Sequence, residues 1–256
     1  MPAPENRLKA ALARGETLVG CWAGFAAPYP TEVLAGAGFD WLVIDGEHAP
    51  NDLGSVSAQL GVLRGAATQA VVRLPMGEVW AIKQVLDAGA QTLLIPMVES
   101  AAQAEGLVRA MRYPPEGVRG SGAALARASR FSGIPDYIAT ANAQMCLLVQ
   151  VETRAGLAAL DDILGVEGVD GVFIGPSDLA ADMGYLGDST VPEVQEAIRD
   201  ALTRIASAGR APGILALDHE TAARYRDWGA RFLAVGIDVV MLAEAARALA
   251  ARWRDG

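Results

Sequence analysis

The chain alternates short apolar runs rich in β-branched residues with longer stretches in which apolar residues recur every three or four positions. The first pattern is typical of buried parallel strands, and the second of the helices that cover them. Eight strands are predicted, at residues 18–25, 41–47, 70–74, 92–98, 145–152, 171–175, 212–217 and 232–236. We therefore expect an α/β fold in which eight strand and helix units close into a (β/α)8 barrel rather than an open sheet.

One connection is longer than the others. Residues 114–144, between the fourth helix and the fifth strand, contain Pro-Pro and Gly-x-Gly sequences that disfavour a ninth strand. The stretch SGIPDYIATAN predicts a short helix started by Pro135. Because the 256-residue chain shows no linker or low-complexity stretch, we expect one domain over residues 1–256 with 114–144 as an insert.

Composition and charge exclude several classes of function. The net charge of −9 and the pI of about 4.8 give no electrostatic basis for binding nucleic acid. No apolar run reaches the ~18 residues of a membrane span, and the N-terminus lacks the apolar core of a signal peptide, so we expect a cytoplasmic protein without a membrane partner. Cys21 and Cys146 lie in separate apolar runs without CxxC spacing, which predicts two buried thiols.

Polar and charged residues follow several of the predicted strands. In a barrel of this type the residues after the strands meet at one mouth, where catalytic groups lie. In chain order these residues are Asp45, Glu47, His48, Arg73, Glu99, Gln150, Glu152, Gly175, Pro176, Ser177 and Asp178. Leu215, in the seventh predicted strand, is added to them as a candidate substrate contact.

Glu152 and Asp178 follow adjacent strands, so their carboxylates are expected to meet at the mouth. Two like charges at close range need a cation. Oxygen ligands favour Mg²⁺ or Mn²⁺ over Zn²⁺, with Co²⁺ as a further candidate. The structural alternative is a helix N-cap for Asp178 and a solvated charge at a helix start for Glu152.

Arg73 and His48 are candidates for substrate binding and for proton transfer. A guanidinium at the end of the apolar strand AVVRL would face a carboxylate or enolate oxygen, or else form a structural ion pair across the mouth. His48 follows two carboxylates in IDGEHAPN and is a candidate general base. For His219, in ALDHETAA, the first turn of a helix is the favoured interpretation.

Lysine is scarce. Lys9 lies in the N-terminal arm and Lys83 within a predicted helix, so neither is expected to point into the barrel. A Schiff-base mechanism needs a desolvated lysine in the pocket. The sequence therefore disfavours that mechanism.

Five sequence blocks carry a resemblance to a known family. They are FDWLVIDGEHAPND, LLIPMVES, RYPPEGVRGSG, LLVQVETRAG and GVFIGPSDLAADMG. In this order they resemble the HpcH/HpaI aldolase family, over nearly the whole chain from LVGCWAGF to FLAVGID. The resemblance implies a class II, metal-dependent pyruvate aldolase in which Glu152 and Asp178 bind the metal, Arg73 contacts the substrate and His48 is the base.

The same resemblance implies a barrel of the phosphoenolpyruvate/pyruvate type whose eighth helix is exchanged with a neighbouring subunit. The stretch VVMLAEAARALAARW would be that helix. It also implies a homo-oligomer, commonly a hexamer built as a trimer of dimers.

The expected reaction is addition of pyruvate, or a close 2-oxo acid such as hydroxypyruvate, to an aldehyde, with cleavage of 4-hydroxy-2-oxo acids as the reverse. Asp45, and Asp87 from a neighbouring subunit, are candidates to orient the imidazole of His48. The amides of Ser177 and Asp178 are candidates to hold the pyruvate carboxylate. Two alternatives stay open: oxaloacetate decarboxylation at the same site, and a non-catalytic ligand-binding barrel.

Overall fold

The computed structural model describes residues 1–254, and its centre is a closed barrel of eight parallel strands. The strands are β1 Leu18–Ala23, β2 Trp41–Asp45, β3 Gln69–Arg73, β4 Thr92–Ile95, β5 Cys146–Val151, β6 Val169–Ile174, β7 Ala211–Leu215 and β8 Phe232–Ile237. Each strand pairs with the next in the chain, and β8 pairs with β1. The predicted (β/α)8 barrel is therefore confirmed.

Several strands end earlier than the sequence predicts. β2 ends at Asp45 and β4 at Ile95, where the prediction extended them to residues 47 and 98. After β4 the chain turns at Met97, whose φ of 55° is incompatible with a continuing strand. An apolar run therefore need not belong to the strand along its whole length.

The helices lie outside the barrel, except for α1, which lies near its N-terminal end. They are α1 Arg7–Ala13, α2 Pro28–Ala35, α3 Leu53–Leu63, α4 Val79–Asp87, α5 Ala101–Met111, α6 Tyr137–Ala141, α7 Arg154–Ala158, α8 Leu160–Leu164, α9 Pro176–Asp182, α10 Pro192–Ser207, α11 His219–Asp227 and α12 Asp238–Arg254. Asp218 caps α11 by accepting from the amide of Thr221 at 2.8 Å, so His219 occupies the first turn as expected.

The core has two layers, one inside the barrel and one between the barrel and its helices. Inside, Trp41 stacks on Phe232 with ring centroids 3.7 Å apart, and a side chain at Gly20 would overlap the Trp41 ring. Leu8 and Leu12 of α1 join this inner layer. The N-terminal end of the barrel is therefore filled, which leaves the other end open for a site.

The insert packs around a buried cation. Arg119, whose side chain is fully buried, lies 2.8 Å from Asp87 and 4.4 Å from the ring centre of Tyr113. The predicted short helix is α6, which begins two residues after Pro135. Within residues 1–254 the insert contributes no strand, as predicted.

The last helix, α12, has little cover in the single chain. Asp238 is its one buried residue within the described range. Met241, Leu242, Leu249 and Trp253 are exposed, Trp253 by 83%. Among residues 1–254, no helix combines the length and apolar character needed to cross a membrane.

Candidate active site

A cavity of about 690 Å³ opens at the C-terminal ends of the strands. It brings together most of the predicted site residues: Asp45, His48, Arg73, Gln150, Gly175, Pro176, Ser177, Asp178 and Leu215. Glu152 lies against it and bonds to Gln150. Asp87 is not among them, because it ends α4 near the start of β4 and pairs there with Arg119.

Arg73 is the last residue of β3 and is only 7% exposed. Its Nε lies 2.9 Å from Asp45 Oδ1 and its Nη2 lies 2.8 Å from Asp45 Oδ2, a two-point contact that matches the planar guanidinium. Its Nη1 lies 2.7 Å from Glu47 Oε2. Arg73 therefore forms the structural ion pair that the sequence leaves open as an alternative to substrate binding. The same guanidinium also lines the cavity.

Asp45 and Glu47 contact the same arginine but have opposite pKa shifts. Burial alone would raise the pKa of Asp45, but the hydrogen bonds and charge of Arg73 outweigh it and hold that pKa below its usual value. Burial raises the pKa of Glu47, and Arg73 offsets this only in part. The difference follows from geometry, because Glu47 Oε2 has no well-aligned hydrogen bond among the described residues despite its closeness to Nη1.

His48 stands at the rim, with its imidazole 67% exposed. Its Nε2 lies 3.8 Å from Glu47 Oε2. Asp45 instead accepts hydrogen bonds from Arg73 and from the backbone amides of Glu47 and His48, at 3.0 and 3.4 Å for the two amides. Among the described residues, Asp45 makes no hydrogen bond to the imidazole. Glu47, two residues further on in the same motif, is the carboxylate beside it.

Glu152 follows β5 directly and is 2% exposed. Its Oε1 accepts from the amide of Met97 at 2.9 Å, and its Oε2 accepts from Gln150 Nε2. Burial raises the pKa of Glu152, and the nearby charge of Asp178 adds to the rise. The alternative of a solvated charge at a helix start is wrong for this residue.

Asp178 is the third residue of α9 and is exposed in the cavity. The N-cap of that helix is Gly175, which rules out the capping alternative for Asp178. A side chain at Gly175 would overlap Glu152 Oε2, so glycine is needed where these two strand ends meet.

The side-chain oxygens at this site fit a divalent cation that prefers oxygen ligands. Asp178 lies close enough to raise the pKa of Glu152, and Gln150 Oε1 is buried with no hydrogen-bond partner in the described chain. Within residues 1–254, no three His, Cys, Asp or Glu side chains form a complete ligand set. The protein would thus supply two carboxylates and leave positions for substrate and water.

The apolar wall of the cavity is not predicted from the sequence. It is formed by Trp22, Phe173, Ile237, Val239 and Val240. These residues lie in or next to strands that are hydrophobic throughout, so no local pattern distinguishes them from core residues.

The positions of the two lysines agree with the expectation from sequence. Lys9 in α1 donates to the carbonyl of Met145 at 2.6 Å, and Lys83 lies exposed on α4. Neither lines the cavity.

A closed (β/α)8 barrel with paired carboxylates and a buried arginine at its mouth defines the class as a barrel enzyme. The model of the HpcH/HpaI aldolase/citrate lyase family matches residues 18–245. A protein of Roseovarius nubinhibens named hydroxypyruvate/pyruvate aldolase is 76% identical over 99% of each chain. An Escherichia coli protein named 4-hydroxy-2-oxo-heptane-1,7-dioate aldolase is 56% identical over 97% of this chain and 95% of that protein.

A solved structure of an HpcH/HpaI aldolase/citrate lyase family protein from Burkholderia cenocepacia superposes with a TM-score of 0.93. It is 41% identical and covers 97% of this chain and 99% of that one. The chain belongs to the HpcH/HpaI aldolase/citrate lyase family. It is an enzyme of the aldolase type, a carbon–carbon lyase.

Proposed function

We propose that the chain catalyses reversible aldol addition of pyruvate or hydroxypyruvate to an aldehyde, with a divalent metal held by Glu152 and Asp178. The observation that carries this proposal is the buried Glu152 beside Asp178 in a cavity that also contains Arg73 and no lysine. The names of the Roseovarius nubinhibens and Escherichia coli relatives support the choice of 2-oxo acid substrates.

Mg²⁺ or Mn²⁺ suits the two carboxylates best, with Co²⁺ as a further candidate. When bound, such an ion would act as a Lewis acid on the keto group and make the neighbouring methyl protons more acidic. Two carboxylates balance its charge. Arg73 is already paired with Asp45, so only its remaining N–H donors can face the negative charge of pyruvate.

Arg73 is held rigidly by Asp45, so its remaining surface in the cavity can stabilise an oxygen that gains negative charge during the reaction. The amides of Ser177 and Asp178, in the first turn of α9, would hold the pyruvate carboxylate, whereas Pro176 has no N–H to donate. Gln150, Gly175 and Leu215 shape the same cavity.

His48 removes a proton from the methyl carbon of pyruvate, and the resulting carbanion attacks the aldehyde carbon. Glu47, at 3.8 Å, stabilises the imidazolium that this transfer creates. The new alkoxide then takes a proton to give the 4-hydroxy-2-oxo acid, and cleavage follows the reverse path. Asp87 of a neighbouring subunit remains a candidate to contact the imidazole.

A second copy of the chain is the proposed cover for the exposed apolar residues of α12. Met241, Leu242 and Trp253 would be costly to leave in water, and exchange of α12 between subunits would bury them. A homo-oligomer, built from such dimers into a hexamer and working in the cytoplasm, is the proposed form of the enzyme.

The test is a screen of pyruvate and hydroxypyruvate against a panel of aldehydes, with and without added Mg²⁺ or Mn²⁺. We expect carbon–carbon bond formation that a chelator abolishes and that either ion restores. Full activity in excess chelator would overturn the proposal, as would trapping of pyruvate on Lys83 by borohydride. A Lys83→Arg variant serves as the control for such trapping and should keep full activity.

A further inference from the structure

Four arginines surround a second cavity, of about 320 Å³, at the N-terminal ends of β3 and β4. They are Arg7, Arg64, Arg127 and Arg130. Glu5 is the one carboxylate that lines this cavity within the described chain. The net charge of the lining is therefore strongly positive, on a protein whose overall charge is −9.

Two of these guanidiniums are fixed by backbone carbonyls. Arg127 donates from Nη1 to Ala88 O at 2.8 Å and from Nη2 to Leu60 O at 3.2 Å, at the ends of two helices. Arg7 donates from Nη2 to Ala66 O at 2.8 Å. These carbonyls carry only partial negative charge, so they compensate the two guanidinium charges only in part.

The fixed arginine Arg127 lies within the electrostatic reach of Arg64. Burial lowers the pKa of Arg127, and the like charge of Arg64 lowers it further. Gly89, at a φ of 111°, leaves room for this side chain, since a Cβ there would lie 2.8 Å from Nη1. The backbone thus accommodates a repulsive pair of cations, an arrangement that an anion between them would relieve.

The other two arginines are free to move toward a ligand. Arg64 and Arg130 are exposed, and within residues 1–254 neither side chain makes a hydrogen bond or an ion pair. Arginine contacts phosphate and carboxylate groups through two parallel N–H donors. Two hydrogen-bonded and two free guanidiniums around one partly open cavity would suit an anion with several oxygens.

We propose that this cavity binds a small multivalent oxyanion, either a phosphate ester or a di- or tricarboxylate. The volume suits a small molecule, and the net charge of the protein opposes a nucleic acid or an anionic membrane surface. The cavity is separate from the active site of the same chain, because Gln69 at the start of β3 lines it while Arg73 at the end of β3 lines the mouth.

The test is isothermal titration of the metal-loaded protein with glycerol 3-phosphate, inorganic phosphate and propane-1,2,3-tricarboxylate, each at constant ionic strength. We expect one site per chain for at least one of these anions, and Arg64→Gln/Arg130→Gln should weaken binding by at least about tenfold. Comparison of the phosphate and tricarboxylate titrations identifies the type of anion. Arg199→Gln/Arg226→Gln, which removes the same charge from other exposed helices, should leave the affinity unchanged.

Four results would overturn the proposal. The first is binding of every multivalent anion no tighter than that of chloride. The second is an equal loss of affinity in the Arg199→Gln/Arg226→Gln control. The third is loss of the site in Arg73→Lys, which would place the anion in the mouth. The fourth is a change in oligomer mass of Arg64→Gln/Arg130→Gln by light scattering, which would make these arginines a subunit contact. Aldolase activity and Tm of this variant should match those of the unmodified protein, which shows that it folds.

Discussion

The two ends of the barrel carry opposite excess charge. At the mouth, four carboxylates surround one buried arginine, Arg73. At the N-terminal end, four arginines surround a cavity with one carboxylate, Glu5. Two nitrogens of Arg73 bond to Asp45, whereas the side chains of Arg64 and Arg130 have no hydrogen-bond or ion-pair partner in the described chain. A charge left without compensation, rather than the number of polar residues, therefore indicates where a ligand can bind.

The largest effect is expected for a variant that removes one carboxylate charge from the mouth. Glu152→Gln keeps a side chain of the same shape that can accept from Met97 but removes one negative charge from the pair. We expect aldol cleavage to fall by about 10³-fold or more and divalent metal affinity to fall with it, because the metal supplies the Lewis acid. Steady-state rates and metal titration measure both.

Asp162→Asn, which removes an exposed carboxylate of α8, is the matched control and should change neither quantity. Unchanged metal affinity in Glu152→Gln would show that the charge excess at the mouth has another purpose.

A variant of His48 tests whether the exposed imidazole at the rim transfers protons. His48→Ala should slow exchange of the pyruvate methyl protons with deuterated water by about 10²–10⁴-fold, the usual range for general-base catalysis. Metal affinity should persist, because Glu152 and Asp178, the carboxylates proposed to bind the ion, are untouched. His219→Ala removes the other histidine, at the start of α11, and should exchange protons at the normal rate. Normal exchange in His48→Ala would instead assign the base to another group.

Arg73 tests whether a guanidinium already paired with Asp45 also contributes to the reaction. Lysine keeps the charge but loses the planar two-point contact, so Arg73→Lys should reduce kcat by about 10²-fold, as for loss of one oxyanion donor. Arg199→Lys on α10 should keep its rate. A near-normal kcat for Arg73→Lys would make the ion pair with Asp45 purely structural.

Variants of Asp45 and Glu47 are expected to change the free energy of unfolding in different ways. The folded-state pKa of Asp45 is lowered, so its charge contributes stability above the unfolded pKa of about 3.9, and that contribution is lost as the pH falls through the folded value. Asp45→Asn should therefore lower the free energy of unfolding by about 2 kcal/mol at pH 7. The difference from the unmodified protein should shrink below about pH 4.

Glu47 has a raised pKa, so its charge opposes folding near neutral pH and Glu47→Gln should leave the stability at pH 7 unchanged or slightly increased. Urea unfolding over a range of pH measures both variants. Equal losses for the two would contradict the assignment of opposite roles to these carboxylates.

The smallest effect is expected at Met97, whose backbone amide bonds to Glu152 while its φ of 55° is costly for a residue with a side chain. Met97→Gly relieves that cost but adds freedom to the unfolded chain, so stability should stay within about 1 kcal/mol. The amide remains, and metal affinity and kcat should stay within about twofold. A tenfold loss of either would mean that the methionine side chain takes part.

Much of the fold and of the mouth could be predicted from the sequence. Periodicity is local, because alternation in strands and the 3.6-residue repeat of helices follow from backbone geometry. Eight such units imply a barrel, and a barrel places whatever follows its strands at one end. Glu152, Arg73 and Asp178 are therefore predicted to share one mouth, and two lysines outside the strands are enough to disfavour a Schiff base.

Only the tertiary structure decided which charges compensate one another. Asp45 and Glu47 are two residues apart in one motif, and their different roles depend on how each approaches Arg73 from the next strand. The arginines of the second cavity come from three separate segments, around residues 7, 64 and 127–130, which no local pattern connects. Electrostatic compensation depends on distance and burial across the folded chain, whereas periodicity depends only on neighbours along it.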